Sequence, residues 1–166
     1  IHLRAELCTA TMAEELDEFS EQDHIKMISM MDHTPGQRQF RDVTKLVEYL
    51  SDKHHMNDKE VKEHFEMLKG LQREFGAKHR AHTVEKANLL KALLASHDDT
   101  TIEDVIDSAK DGARVAEFPT TFDAAQASHD RNIAVMMGAP NIVCGGSHSG
   151  NVAAYELDDH NLINIL

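Results

Sequence analysis

The chain contains no tryptophan, only two cysteines and three prolines, and no apolar run long enough to cross a bilayer. Each shortage removes a class of protein. Cys8 and Cys144 lie far apart and form no close-spaced zinc motif, so reduced thiols in a cytoplasmic protein are the reading. No signal-peptide pattern opens the chain. Basic residues are scarce as well: 17 Lys and Arg stand against 29 Asp and Glu, a formal charge of -12. Nucleic acids and anionic membranes are bound through Lys/Arg stripes, and no basic patch with interleaved aromatics occurs here. Neither nucleic acid nor a membrane is an expected partner.

What is present suffices for one ordinary domain: 166 residues can bury a sizeable core. Twelve histidines are many for this length. His54, His55, His79 and His82 sit among charged neighbours and read as surface residues. The chain opens inside a strand-like run, "IHLRAEL", and closes on another apolar run, "LINIL". Both ends look cut through structure, so residues 1–166 read as a fragment of a larger protein.

Strand and helix periods alternate along the chain. Ile1, Leu3, Ala5 and Leu7 share one face of a first strand, and His2, Arg4 and Glu6 share the other. A short acidic helix over 13–21 precedes an apolar strand over 25–31, which ends in Asp32, His33 and Thr34. Helices are predicted over 39–53 and 58–78, the second after an Asn-Asp cap signal, and helix continues through 83–90. Strand 91–96 and helix 102–111 follow, then strand 114–118, helix 122–131, strand 133–137, a glycine-rich loop and a short helix over 151–157. Such spacing argues for α/β architecture with a parallel sheet, and about 39–90 read as a helical hairpin inserted into one crossover. Pro35, Pro119 and Pro140 all follow strands, none inside an element.

Polar residues gather where strands end. Glu6 closes the first, Asp32 and His33 the second, and His97, Asp98 and Asp99 the third; Glu117 precedes Pro119 in the fourth. In α/β folds that edge is where active sites are built. Carboxylate with imidazole suits zinc, manganese or iron. For Glu6, His33 and His97 the alternative is hydrogen-bonded structure. For Asp98 to Thr101 it is helix capping, which accounts best for Asp99, Thr100 and Thr101 and leaves His97 and Asp98 as functional candidates. "GAPNIVCGGSHSGN" offers Ser147, His148, Ser149 and Asn151 ahead of a helix, as an anion cradle or merely a flexible turn. Gln37, Arg38 and Arg41 are placed to grip phosphate, or to form a solvated first helical turn.

"MMDHTPGQRQFRD", "LASHDDTT", "AEFPTTFDAA" and "MGAPNIVCGGSHSGNVAA", in this order and with "HLRAE" ahead of them, closely resemble the amidohydrolases of phosphonate metabolism in the carbon–phosphorus lyase pathway. The resemblance implies a distorted (β/α)8 TIM-type barrel holding one or two divalent metals, of which about five strands are supplied here. It implies Glu6 as the carboxylate ligand and His33 and His97 as the two histidine ligands, with zinc as the metal and manganese or iron as alternatives. The reaction implied is hydrolysis of a small-molecule phosphorylated substrate, a triphosphate, to a monophosphate and pyrophosphate, with Asp98 as a catalytic neighbour. The superfamily's His-x-His pair is absent from these residues, and so is its late aspartate. The 166 residues alone are therefore not expected to turn over. Two alternatives stand beside this: a catalytically incomplete half-barrel that forms a homodimer through open strand edges, and another amidohydrolase chemistry such as deamination, against which the motifs argue.

Overall fold

The computed structural model of the chain describes residues 1–40, 43–44, 46–47, 50, 56–146 and 150–166. Five strands run parallel: β1 (His2–Glu6), β2 (Met27–Met31), β3 (Leu93–His97), β4 (Val115–Glu117) and β5 (Ala134–Met136). They pair in the sequential order β1-β2-β3-β4-β5. Parallel neighbours cannot be joined by a tight turn, so helices carry the crossovers. These are α1 (Met12–Asp17), α2 (Asp58–Leu71), α3 (Ala77–Leu90), α4 (Ile102–Lys110) and α5 (Phe122–Asp130), followed by two short helices, α6 (Ala139–Val143) and α7 (Ala154–Asp158). Sequential parallel strands with helical crossovers make a partial (β/α)8-type barrel, as expected.

The first strand's alternation decides which face meets the helices. Leu3, Ala5 and Leu7 pack with Met12, Leu16, Ile28, Met30, Ala87 and Leu94 in one apolar cluster beneath α1 and α3. Val105, Ala116, Ala124, Ala127 and Ile133 form a second where α4 and α5 cover β4. A third joins Ala125, Val135, Ala154, Leu157 and Leu162. Full burial of a side chain such as Ile28 or Leu157 stabilises by roughly 1.5–3 kcal/mol. The alanines of α5 leave room for the helix to lie close on the sheet. Capping boxes start α2 at Asn57 with Glu60 and α4 at Thr101 with Asp104, where side-chain oxygens satisfy orphan backbone amides.

Several expectations need correction. Helix continues through residue 90 as expected, but a π-helical turn, Gln72–Gly76, interrupts it and joins α2 to α3. The first arm of the expected hairpin falls largely outside the described residues. His79 is not a surface residue: it is 6% exposed and bonds through Nδ1 to the Leu7 carbonyl oxygen. His82 pairs with Asp17, and His54 and His55 lie outside the described residues. The glycine-rich loop contains α6, and Pro140 is inside it. Gly138 is extended at the N-cap, and proline fits the first helical turn because its missing N–H would have no partner there. "LINIL" lies along β5, with Ile165 bridged to Met136 in parallel.

Cys8 is buried in the first cluster and Cys144 is exposed; neither is in a disulfide. Burial, with Asp32 nearby, pushes the Cys8 thiol up to about 12, although a Thr34 hydrogen bond opposes this. At pH 8 its thiolate fraction is negligible, so iodoacetamide is expected to modify Cys144 alone in the folded chain and both thiols in denaturant. Mass spectrometry reads the result; rapid labelling of Cys8 in the native protein would contradict it. Among the described residues, no helix is long and apolar enough to cross a membrane.

Candidate metal centre

The strand face opposite the helices carries the polar side chains. Register places Glu6 beside Met31 and His97 beside Glu117 and then Met136, so the last inward position of successive strands forms one row at the carboxyl edge. His33 stands just beyond β2. Arg4, two residues before Glu6, projects from the same face and donates through Nη2 to His97 Nε2 at 2.9 Å.

His33 and His97 face one another edge to face, 5.7 Å between ring centres, with Asp98 against both. His33 Nδ1 donates to Glu6 Oε2 at 2.5 Å, and His33 Nε2 lies 3.7 Å from Asp98 Oδ2. His97 Nδ1 is 2.8 Å from the same Asp98 oxygen. These last two atoms are buried and misaligned for a hydrogen bond, so each lacks a hydrogen-bond partner, as does Glu117 Oε2. Glu117 Oε2 sits 3.8 Å from His2 Nε2 and 3.9 Å from His97 Nε2.

The turns that present these groups are strained in the same way. Asp98 and Phe118, each directly after a strand's final inward residue, have φ of 57° and 58°. Aspartate tolerates the left-handed region; a bulky phenylalanine does so only when its surroundings hold it there. Here Asp98 N–H donates to the Glu117 carbonyl and Phe118 N–H to the Met136 carbonyl, both at 2.9 Å. The Phe118 ring then meets His97 edge-on, 5.4 Å between centres. The left-handed turn also sends Asp99 away from the cavity. It is 1% exposed and accepts hydrogen bonds from Arg38 and Ser108, so it is a buried acceptor rather than a cap. Thr101 does the capping.

A cavity of about 370 Å³ opens over the row, lined by Arg4, His33, His97, Asp98, Phe118 and Asn151, among others. His33, His97 and Asp98 each offer it a ligand atom, all within 4.8 Å of one another. Two imidazoles and a carboxylate are a donor set for zinc, manganese or iron. The partnerless Asp98 Oδ2 marks where a cation is wanted, because a buried polar atom without a partner is costly. Glu6 was expected to be a ligand; here it holds His33 Nδ1, the carboxylate–histidine arrangement that turns the other ring nitrogen outward. The three residues fit a divalent cation.

Other candidates are placed differently. Arg38, expected to grip phosphate, is directed instead to Asp99 and to the His97 carbonyl, 3.1 Å away. It tethers the segment carrying His33 to the turn carrying His97. Gln37 lines a separate hollow with Asp32, Arg38 and Arg80. Arg41, Ser147, His148 and Ser149 lie outside the described residues. The sequence reading omitted Arg4 from the site, although alternation from Glu6 places it on the same face.

The carboxylates set the charge of His33. The nearby carboxylates of Asp98 and Glu6, outweighing burial, raise it to about 9. Burial pushes Asp98 up, but His33 and His97 overcome it and hold the carboxyl below its ordinary value. A raised histidine contributes stability that is complete below its unfolded pKa of 6.5 and is lost as pH climbs through about 9. The lowered aspartate contributes above 3.8 and ceases to as pH falls. With metal chelated, the melting temperature is expected to be highest between those two unfolded values and to decline toward pH 9. Cations compete with the His33 proton, so metal affinity should rise over the same alkaline range. Melting curves and metal titrations at pH 5.5, 7 and 9 check both slopes; a melting temperature that rises toward pH 9 would contradict the first.

No protein-family model matches the chain, and no solved structure matches it. Over its full 166 residues it is 42% identical to the α-D-ribose 1-methylphosphonate 5-triphosphate diphosphatase of Escherichia coli (strain K12). The likeness read from separate motifs therefore extends over the whole chain. The chain spans 44% of the length of that relative.

Proposed function

We propose that the chain carries much of the active site of a metal-dependent hydrolase that cleaves α-D-ribose 1-methylphosphonate 5-triphosphate to the 5-phosphate and pyrophosphate. The observation that carries this reading is the meeting of His33, His97 and Asp98 at one cavity, in a chain 42% identical throughout to a diphosphatase of that name. A bound zinc, manganese or iron ion would polarise a phosphoryl oxygen and acidify a water. His33, His97 and Asp98 would hold the ion, and Glu6, bonded to His33 Nδ1, leaves His33 Nε2 available for it. Asn151, on the cavity wall, supplies an amide donor to phosphoryl oxygens, and Phe118, Pro119 and Met137 make the apolar part of the wall. Ser147, His148, Ser149 and Arg41 remain candidates for further phosphate contacts.

Metal analysis and a pyrophosphate-release assay, on the 166-residue chain and on the intact gene product, test this. The intact product is expected to hydrolyse the triphosphate and to lose activity on chelation. The chain alone is expected to bind metal without turnover, because it lacks a His-x-His pair at a strand end. Chelator-insensitive hydrolysis, or an intact product inert toward the triphosphate, would refute the reading. A homodimer through open sheet edges is the second reading; β1 stands at the end of the strand order with a partner on one side only among the described residues, which favours it, and sedimentation velocity decides it.

A further inference from the structure

We propose that Arg4 is a cation-gated anion-binding residue: it occupies His97 in the metal-free protein and turns to a phosphoryl group when a cation takes His97. The inference rests on the metal reading above. Arg4 belongs to no element of that reading's ligand set. Among the described residues no carboxylate lies within ion-pairing distance of its guanidinium, and its side-chain partner is His97 Nε2 at 2.9 Å.

The chemistry of imidazole makes that contact incompatible with a bound cation. A guanidinium has donors and no acceptor, so His97 Nε2 must supply a lone pair and carry no proton. A neutral imidazole has one such in-plane lone pair. A cation bound at Nε2 displaces Arg4 directly. A cation bound at Nδ1 leaves the ring proton on Nε2, which then has nothing for Arg4 to bond. Whichever nitrogen coordinates, the Arg4–His97 contact breaks, and repulsion between the two cations acts the same way.

Arg4 remains in the cavity after release, for it is part of the wall beside His33, Asp98 and Asn151. A freed guanidinium without a carboxylate is suited to two oxygens of one phosphoryl group, which match its fork of donors. Cation and anion are thereby linked: the first liberates the residue that binds the second, and by reciprocity the anion tightens the cation. Arg4 is exposed, so replacing it leaves the core untouched.

Free Mn2+ measured by electron paramagnetic resonance, with and without inorganic phosphate, tests this on the wild-type chain and on Arg4→Met and Arg4→Lys. Arg4→Met is expected to bind Mn2+ alone about tenfold more tightly than wild type, within the usual range of coupling between sites. Phosphate is expected to tighten Mn2+ in the wild type by about fivefold or more, less in Arg4→Lys, and not in Arg4→Met. In the metal-free wild type, 15N spectra should show His97 with Nε2 unprotonated and Nδ1 protonated. Equal or weaker Mn2+ binding by Arg4→Met, undiminished phosphate coupling in it, or the opposite tautomer each overturns the proposal alone. Absence of Mn2+ binding in every form overturns the metal reading and this inference together.

Discussion

Asp99→Ala is expected to lower stability by about 3–5 kcal/mol, the cost of leaving one member of a buried ion pair without its partner. Asp99 is 1% exposed and the Arg38 side chain 10%, so water cannot replace the lost carboxylate. Arg38 would keep only its bond to the His97 carbonyl, and Ser108 would lose its acceptor. For a domain of this size such a loss is roughly a 6–20 °C fall in melting temperature. Removing both charges tests the cause. Arg38→Met with Asp99→Leu should recover most of the loss, because the penalty comes from the stranded cation rather than from the missing attraction. A loss below about 1 kcal/mol in Asp99→Ala, the range of an exposed ion pair, would show that the two groups are solvated. The pair also ties the His33 segment to the His97 turn, so metal affinity should fall in the single variant and stay lowered in the double, which recovers stability but not the tether.

His97→Asn is expected to weaken divalent-metal binding by more than about 100-fold, beyond the 10–100-fold typical of losing a supporting residue. His97 is the member of the cluster that touches most of the site: Asp98 at 2.8 Å, Arg4 at 2.9 Å and the rings of His33 and Phe118. Asparagine keeps a polar group but lacks the imidazole nitrogen that binds zinc-like ions. In the intact gene product, pyrophosphate release should fall by at least the same factor. Glu6→Gln provides the contrast. If Glu6 orients His33 without coordinating, its loss should cost about 10–100-fold in metal affinity and no more. Metal content after dialysis, with the melting temperature as a check on folding, separates the two. Equal losses in both variants would place Glu6 among the ligands, as the family resemblance implies.

Much of the site was legible. The two-residue period of "HLRAE" assigned Glu6 and His2 to the face opposite the core, and strand ends marked His33, His97 and Asp98. Other features had a readable signal that charged neighbours obscured. His79, Thr83, Lys86, Ala87 and Leu90 form one helical stripe, and all are buried. Asp99 had none: "DDTT" has the composition of a cap, and only the left-handed turn at Asp98 directs the next carboxylate inward to an arginine from another crossover. The helix within "GAPNIVCGG" was hidden by its glycines, although proline after Gly138 is a helix-start signal.

By itself the sequence determined the order of strands and helices, the face each strand residue takes, and the sheet edge where chemistry collects. Those follow from side-chain periodicity and caps, which act between residues a few positions apart. The tertiary structure alone decided the partnerships: Glu6 to His33, Asp98 to both histidines, Arg38 to Asp99, and Arg4 to His97 across 93 positions of chain. Such contacts depend on strand register and on the sign of φ at one turn residue, neither of which is written in any local pattern.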